Sequence, residues 1–419
     1  MIFRSLFKYQ KQIGELSIFS KLILVAVIFC AGSNTYGQRI NPFEDDNVDL
    51  VDVLRLLKKP ASLKPRDTVQ SINKFRVSGV PAAGYTLQTG FAGLVSANAA
   101  FKTGKESKTS TALSSLTYTA RNQILFPLQS AIWSRNNKYN LVLDWRYLYY
   151  PSYTYGLGGY TSLGDGYIVN YSALRLHQTL LRQIKGDLYL GVGYNLDYFW
   201  DITEQASTHV QPTDYQNYEY GSTGTINTKE LASGITFNFL LDERENAINP
   251  DKGNFVNIIY RPNLVAFGNS NTWRSLVLDA RKYIPYPEGS GNVLAFWTYD
   301  WLTLNGKPPY LMLPNTGSDP YSNTGRGYIQ GRFRGKDMLY GEVEYRFGLT
   351  PSGLIGGVVF ANAQSFTEYS SGKFETVAPG WGLGLRVKLN KMSKTNLAID
   401  YGFGLGGSQG LFVNLGEVF

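Results

Sequence analysis

The residues able to do acid–base, nucleophilic or metal chemistry are few and poorly spaced for it. The chain holds two histidines, His177 and His209, and one cysteine, Cys30. No pair of histidines has ligand spacing, so neither a metal nor another cofactor is expected. A serine hydrolase needs a hydroxyl within reach of an imidazole. Ser172 lies five residues before His177, and in a strand an odd separation puts the two on opposite faces. Glycine runs such as Gly402–Gly407 sit in strand-like sequence rather than at a strand-to-helix junction, so they are not phosphate loops. Asp187, Asp197, Asp242 and Asp400 fall on the polar sides of alternating segments, where solvated carboxylates are expected. The reading is that of a protein that is not an enzyme.

The elements that carry these residues follow from composition and pattern. Charged residues make up 17% of the 419, against about 25% in a soluble domain. Aromatics make up 14%, and glycines number 44. Mean hydropathy is −0.19, too low for a bundle of membrane helices. The aromatic content excludes a disordered chain, and one cysteine excludes a disulfide scaffold. The net charge is +8, of which Arg4, Lys8, Lys11 and Lys21 against Glu15 supply +3. No dense basic run accompanies the remainder, so nucleic acid is not an expected partner.

Lys21 precedes the apolar run Leu22–Ala31, and Thr35 and Gly37 fit the −3 and −1 positions of a cleavage site. This pattern predicts a secretory signal peptide over 1–37. The apolar run is shorter than the roughly 20 residues of a membrane anchor. Phe29 before Cys30 does not fit a lipoprotein signal, which places a small residue there. Residues 38–78 form a short segment of different composition. Asp46 or Asn47 could cap a helix that runs to about Lys59 and is stopped by Pro60, with Leu50, Val51, Leu54 and Leu57 on one face. Such a helix either packs on its own protein or acts as a periplasmic plug or docking element.

From Val80 onward the period is two. Leu231, Ser233, Ile235, Phe237, Phe239 and Leu241 alternate with Ala232, Gly234, Thr236 and Asn238. Trp381, Leu383, Leu385 and Val387 alternate with Gly382, Gly384 and Arg386. Apolar faces carry tyrosine and tryptophan near strand ends, and polar faces carry charges and glycines, as in a membrane barrel with a wet interior. With no water in the bilayer, such a sheet must close on itself. The expectation is an all-β fold, a closed 16-stranded antiparallel transmembrane β-barrel over 79–419, with the helical segment before it on the periplasmic side. Predicted strands include 166–181, 184–199, 228–242, 338–349, 380–390 and 410–419. Short connections such as 242–253, 286–291, 348–353 and 390–396 fall on one side. The longer ones, near 151–165, 200–227, 306–337 and 365–379, fall on the other.

Gly325–Leu349, GRGYIQGRFRGKDMLYGEVEYRFGL, resembles the sixth loop and following strand of the BamA/TamA superfamily of outer-membrane assembly and surface-antigen barrels. Arg326-Gly327-Tyr328 is similar to that family's loop tip, and Glu344-Tyr345-Arg346-Phe347 to its next strand. Asp242-Glu243-Arg244 with Asn249-Pro250 and Gly253 resembles a periplasmic hairpin of the family. Pro81, Gly84-Tyr85 and Thr89-Gly90 resemble the opening hairpin of barrels fused to patatin-like lipases, though no patatin Gly-x-Ser-x-Gly is present. Phe419 resembles the terminal aromatic of many outer-membrane proteins, with Glu417 where that signature is apolar. The chain resembles a short member without periplasmic POTRA domains. Asn362 stands where the family's Phe-x-Asp-x-Gly strand has aspartate, in Phe360–Gln364.

The resemblance implies a sixth loop folded into the lumen, with Arg326 on the inner wall. Parity places Glu342, Glu344 and Arg346 on one strand face, so Glu344 is the expected partner of Arg326. Gly327 would allow a tight backbone, Tyr328 would pack on the wall, and Asn362 would accept a hydrogen bond. One ionic contact is expected where relatives have two. The function implied is assistance to protein or lipid insertion or transport at the outer membrane of a Gram-negative bacterium. Its partners would be outer-membrane lipid and a partner protein or a second copy of the chain. A passive small-solute pore and a structural barrel with binding loops are the alternatives.

Overall fold

The computed structural model describes residues 48–50, 52–53, 76–205, 212–223, 226–391 and 394–419, with backbone only at 76–83, 98, 100 and 221–223. The predicted signal peptide lies outside the described residues, as does His209. Among described residues no helix is long and apolar enough to cross a membrane. The crossing elements are strands. The wall begins with β1 (Arg76–Thr86), β2 (Gly90–Phe101), β3 (Ser110–Thr119), β4 (Ile124–Trp133) and β5 (Tyr139–Tyr149). It continues through β6 (Ser152–Thr154), β7 (Tyr167–Lys185), β8 (Leu188–Glu204), β9 (Lys229–Asp242), β10 (Gly253–Asn263) and β11 (Trp273–Pro285). It ends with β12 (Val293–Asn305), β13 (Met338–Gly348), β14 (Ile355–Phe366), β15 (Ala378–Asn390), β16 (Thr395–Gly404) and β17 (Gln409–Leu415).

Both β5 and β6 pair with β7 in line, at Tyr149↔Ser172 and Ser152↔Val169, so they are one wall strand interrupted at Tyr150-Pro151. Proline has no N–H to give a ladder. The wall therefore has 16 antiparallel strands, each paired with its sequence neighbour. Among the described residues no ladder joins β1 to β17, which leaves one unsealed seam. Gly410 of β17 lies beside Leu87, which follows β1, with room for no Cβ between them.

The alternation sorts side chains as expected. On β15, Trp381, Leu383 and Leu385 face outward and exposed, while Gly380, Gly382, Gly384 and Arg386 are buried. The outward apolar face supplies the membrane-facing surface.

Three boundaries differ from the sequence expectation. The sixth and seventh wall strands meet at Gly186-Asp187 rather than at 182–183, because Arg182–Lys185 continue the ladder beyond the clear alternation. The predicted outer loop at 200–227 contains α1 (Asp214–Thr223). The Thr213 hydroxyl accepts from the Gln216 N–H at 3.3 Å, an N-cap bond. The last strand stops at Leu415, four residues short of Phe419, and Gly416 turns the chain inward at φ +92°.

Of the helix predicted to run to Lys59, the described residues are Val48–Leu50, Asp52 and Val53. Leu50, Asp52 and Val53 are helical. Asp49 and Asp52 exchange side-chain-to-backbone bonds of 2.9 and 3.3 Å in a capping box. This piece sits on the barrel's turns: Val48 N–H donates to Ser352 O (3.0 Å), and Asp52 pairs with Lys391 (3.3 Å).

Candidate functional site: a loop caged in the barrel

The connection between β12 and β13, residues 306–337, folds into the barrel. Its aromatic residues Tyr328 and Phe333 pack with the wall residues Trp297, Tyr340 and Phe366 in one buried cluster. Its tip is a turn closed by Tyr328 N–H to Gly325 O at 2.9 Å. Gly325 and Gly327 have φ of +83° and +107°, which a side chain would oppose.

Between them Arg326 is 1% exposed and reaches two separate parts of the wall. It donates from Nη1 to Asp400 Oδ2 of β16 at 2.7 Å. From Nη2 it donates to Glu342 and Glu344 of β13. Its guanidinium lies 3.7 Å from the centre of the Phe360 ring on β14. The sequence pointed to one carboxylate, and the structure holds three. Asp400 was missed because it lies 74 residues away in sequence and meets Arg326 only where the loop folds back onto the wall. Glu342 was recognised as sharing the face of Glu344 but not as a partner.

Asn362 meets the loop in a different role from the one expected. Its Nδ2 donates to the Arg326 carbonyl at 2.9 Å, and its Oδ1 has no hydrogen-bond partner among the described residues. Tyr328 donates its hydroxyl to Pro379 O (2.5 Å) and accepts from Leu405 N–H (2.8 Å). Ser408 donates to Gly327 O at 2.8 Å.

A second ring of charge supports the first. Arg346 donates from Nε to Glu344 at 2.5 Å. Arg386 donates to Asp400 at 2.5 Å and to Glu417 at 2.7 Å. Three arginines thus meet four carboxylates: Glu342, Glu344, Asp400 and Glu417. The Tyr340 hydroxyl donates to Glu342. Buried charge is tolerable only where paired in this way.

Phe419 does not end a lipid-facing strand. It is buried in the interior, 5.1 Å from Trp297 in a stacked arrangement, and its carbonyl accepts from Arg346 at 2.8 Å. This inward turn accounts for the polar residue at 417, because Glu417 faces Arg386 and Asn396 rather than lipid.

The solvated-carboxylate expectation also fails at Asp197, which is 2% exposed. It accepts from Arg175 Nε and Arg261 Nη1, each at 2.8 Å, and lies 2.8 Å from His177 Nε2. The chain therefore brings His177 to Asp197, on the neighbouring strand. Bidentate pairs two residues apart recur on the inner wall at Asp144/Arg146, Asp242/Arg244 and Asp279/Arg281. The Asp-x-Arg spacing is visible in the sequence and was the available signal.

A 16-stranded barrel with one unsealed seam and a long loop caged against its inner wall defines a class of β-barrel membrane proteins. The chain belongs to the Omp85 superfamily, whose domain model matches residues 165–410, more than half of its length. Omp85 barrels are bacterial outer-membrane proteins. No curated protein matches the chain. Among solved structures, it is similar to a BamA from Haemophilus ducreyi lacking POTRA domains 1–3. The identity is 14% and the TM-score 0.56, with 82% of this chain and 70% of that one covered. It is also similar to CdiB from Acinetobacter baumannii, at 13% identity and a TM-score of 0.50, covering 82% of this chain and 60% of the other. For CdiB from Escherichia coli the values are 10%, 0.51, 81% and 61%, so the chain spans less than two thirds of either CdiB.

Proposed function

We propose that this barrel assists the insertion or secretion of proteins at the bacterial outer membrane. In this reading it is exported by the signal peptide at 1–37, and a partner protein or second copy delivers its clients. The observation that carries the reading is the caged loop. A 32-residue segment packed into the lumen obstructs passive diffusion. A transport barrel can use it to hold the wall in one state while the unsealed seam stays free. Arg326, Gly327 and Tyr328 are the proposed latch, and Glu342, Glu344 and Asp400 the catch. The long-loop rim is closed further by contacts between loops: Gly158 N–H donates to Arg334 O at 2.7 Å, and Arg332 donates to Thr161 Oγ1 at 2.7 Å.

The test is insertion of an unfolded eight-stranded outer-membrane client into liposomes that contain the purified protein, scored by protease protection. Faster insertion than into liposomes holding an inert barrel supports the reading, and equal rates overturn it. Planar-bilayer conductance of the wild type beside a deletion of 308–334 tests the alternative. A steady large conductance in the wild type would make the protein a diffusion pore.

A further inference from the structure

The hairpin between β9 and β10, residues 243–252, does not stay beside the strands it joins. Those strands are the eighth and ninth of the 16 in the wall. Pro250 O accepts from Arg346 Nη1, on the twelfth strand, at 3.4 Å. Ile248 O accepts from Glu417 N–H, just past the sixteenth, at 3.0 Å. Asp251 Oδ2 meets Lys394 Nζ, at the foot of the fifteenth, at 2.8 Å. Contacts with strands six or seven positions away round the barrel require the hairpin to cross its opening. Pro250 is buried there, against an arginine of the inner wall.

The hairpin is built to move as a unit. The Asn246 side chain accepts from Ile248 N–H (2.8 Å) and Asn249 N–H (3.0 Å), closing a turn within it. Asn254 donates to Glu243 at 2.7 Å across its base. Its contacts with the far wall are of another kind. Among the described residues they include two backbone carbonyl acceptors and one ion pair, whose side chains are both 44% exposed, so the pair itself is a weak clasp. Lys391, three residues before Lys394, is itself engaged by Asp52.

We propose that residues 243–252 form a lid over the short-turn mouth of the barrel, latched by Asp251 to Lys394 and closing the lumen opposite the caged loop. The lid controls entry to the lumen from that side. This inference goes beyond the proposed function and does not depend on what the barrel transports.

The test uses the full chain in detergent with Cys30→Ser and Val418→Cys. Val418 is 3% exposed and follows Glu417, whose N–H the hairpin accepts. The readout is the rate of labelling by a charged maleimide. With the lid intact, labelling is slow. Replacing 245–250 with two glycines accelerates it at least tenfold. Lys394→Glu accelerates it roughly two- to fivefold, the range that an exposed pair can hold. The swap Asp251→Lys with Lys394→Glu returns the rate toward the parent. Heat-modifiable mobility checks folding, and if the shortened hairpin fails to fold, the charge reversal and the swap decide. Equal rates in parent and shortened lid overturn the proposal. Acceleration by Lys394→Glu that the swap does not reverse removes the latch.

Discussion

Arg326 and Asp197 are centres of two ion clusters with opposite sign and different reach. Around Arg326, one cation meets three carboxylates, and the hub belongs to a loop while its partners belong to β13 and β16. Around Asp197, one carboxylate meets Arg175, His177 and Arg261, all on wall strands β7 and β10 near its own β8. The second cluster staples β8 to the adjacent β7 and to β10, one strand beyond β9, within a run of consecutive ladders. The first joins segments that no ladder connects. Comparable chemistry therefore has different consequences, and the difference lies in what else holds the partners together.

The largest effect is expected at the loop. Arg326→Ala leaves buried carboxylates short of a cation and should cost about 3–5 kcal/mol. Heat-modifiable mobility should be lost at lower temperature, and protease should cut within 306–337. Arg326→Lys should fall between, because an ammonium cannot fork to three carboxylates. An unchanged protease pattern in Arg326→Ala would break the comparison. Asp197→Asn should cost less, about 1–3 kcal/mol, since Arg175 is 31% exposed and water can take part of its charge, while the buried Arg261 keeps the carbonyls of Asn195 and Ala232. Its loop should remain as protease-resistant as in the parent. Equal loop cleavage in both variants would mean that the clusters are one coupled unit.

Glu417→Gln should be milder still, within about 1 kcal/mol, because Arg386 keeps Asp400 and the cage then has three arginines against three carboxylates. The smallest effect concerns pH at the rim. Burial pushes the Asp251 carboxyl up, but the hydrogen bond and charge of Lys394 outweigh it and hold the group below its ordinary 3.8. A lowered value contributes stability above the ordinary range, lost as pH falls through the lowered one. Maleimide labelling of the Val418→Cys chain should therefore be flat from neutral pH down to about 4 and rise only below that.

Much of the wall was legible because its signal is local. A strand such as β9 or β15 states its faces in its own alternation. The cage was half legible. Glu344 follows from parity on one strand, whereas Asp400 requires the stagger of β13 against β16, which no single strand encodes. The inward turn after Leu415 was hidden for a similar reason, since Glu417 reads as a flaw in a lipid-facing signature until Arg386 is placed beside it. Helix α1 escaped because its apolar content is tyrosine without a helical stripe, although Thr213-x-x-Gln216 marked its start.

Under the caged loop the wall is bare. A Cβ on Gly402 would stand 2.6 Å from Gly327 N, and one on Gly404 would stand 2.5 Å from the Tyr328 ring. The charges that hold the loop respond to the loss of a partner, and this clearance does not. Docking depth is thus set on two independent scales, one electrical and one measured in missing methyl groups. A residue of increasing size at 402 or 404 would act as a graded shim, lifting the loop by steps while every ion-pairing residue stayed in the sequence.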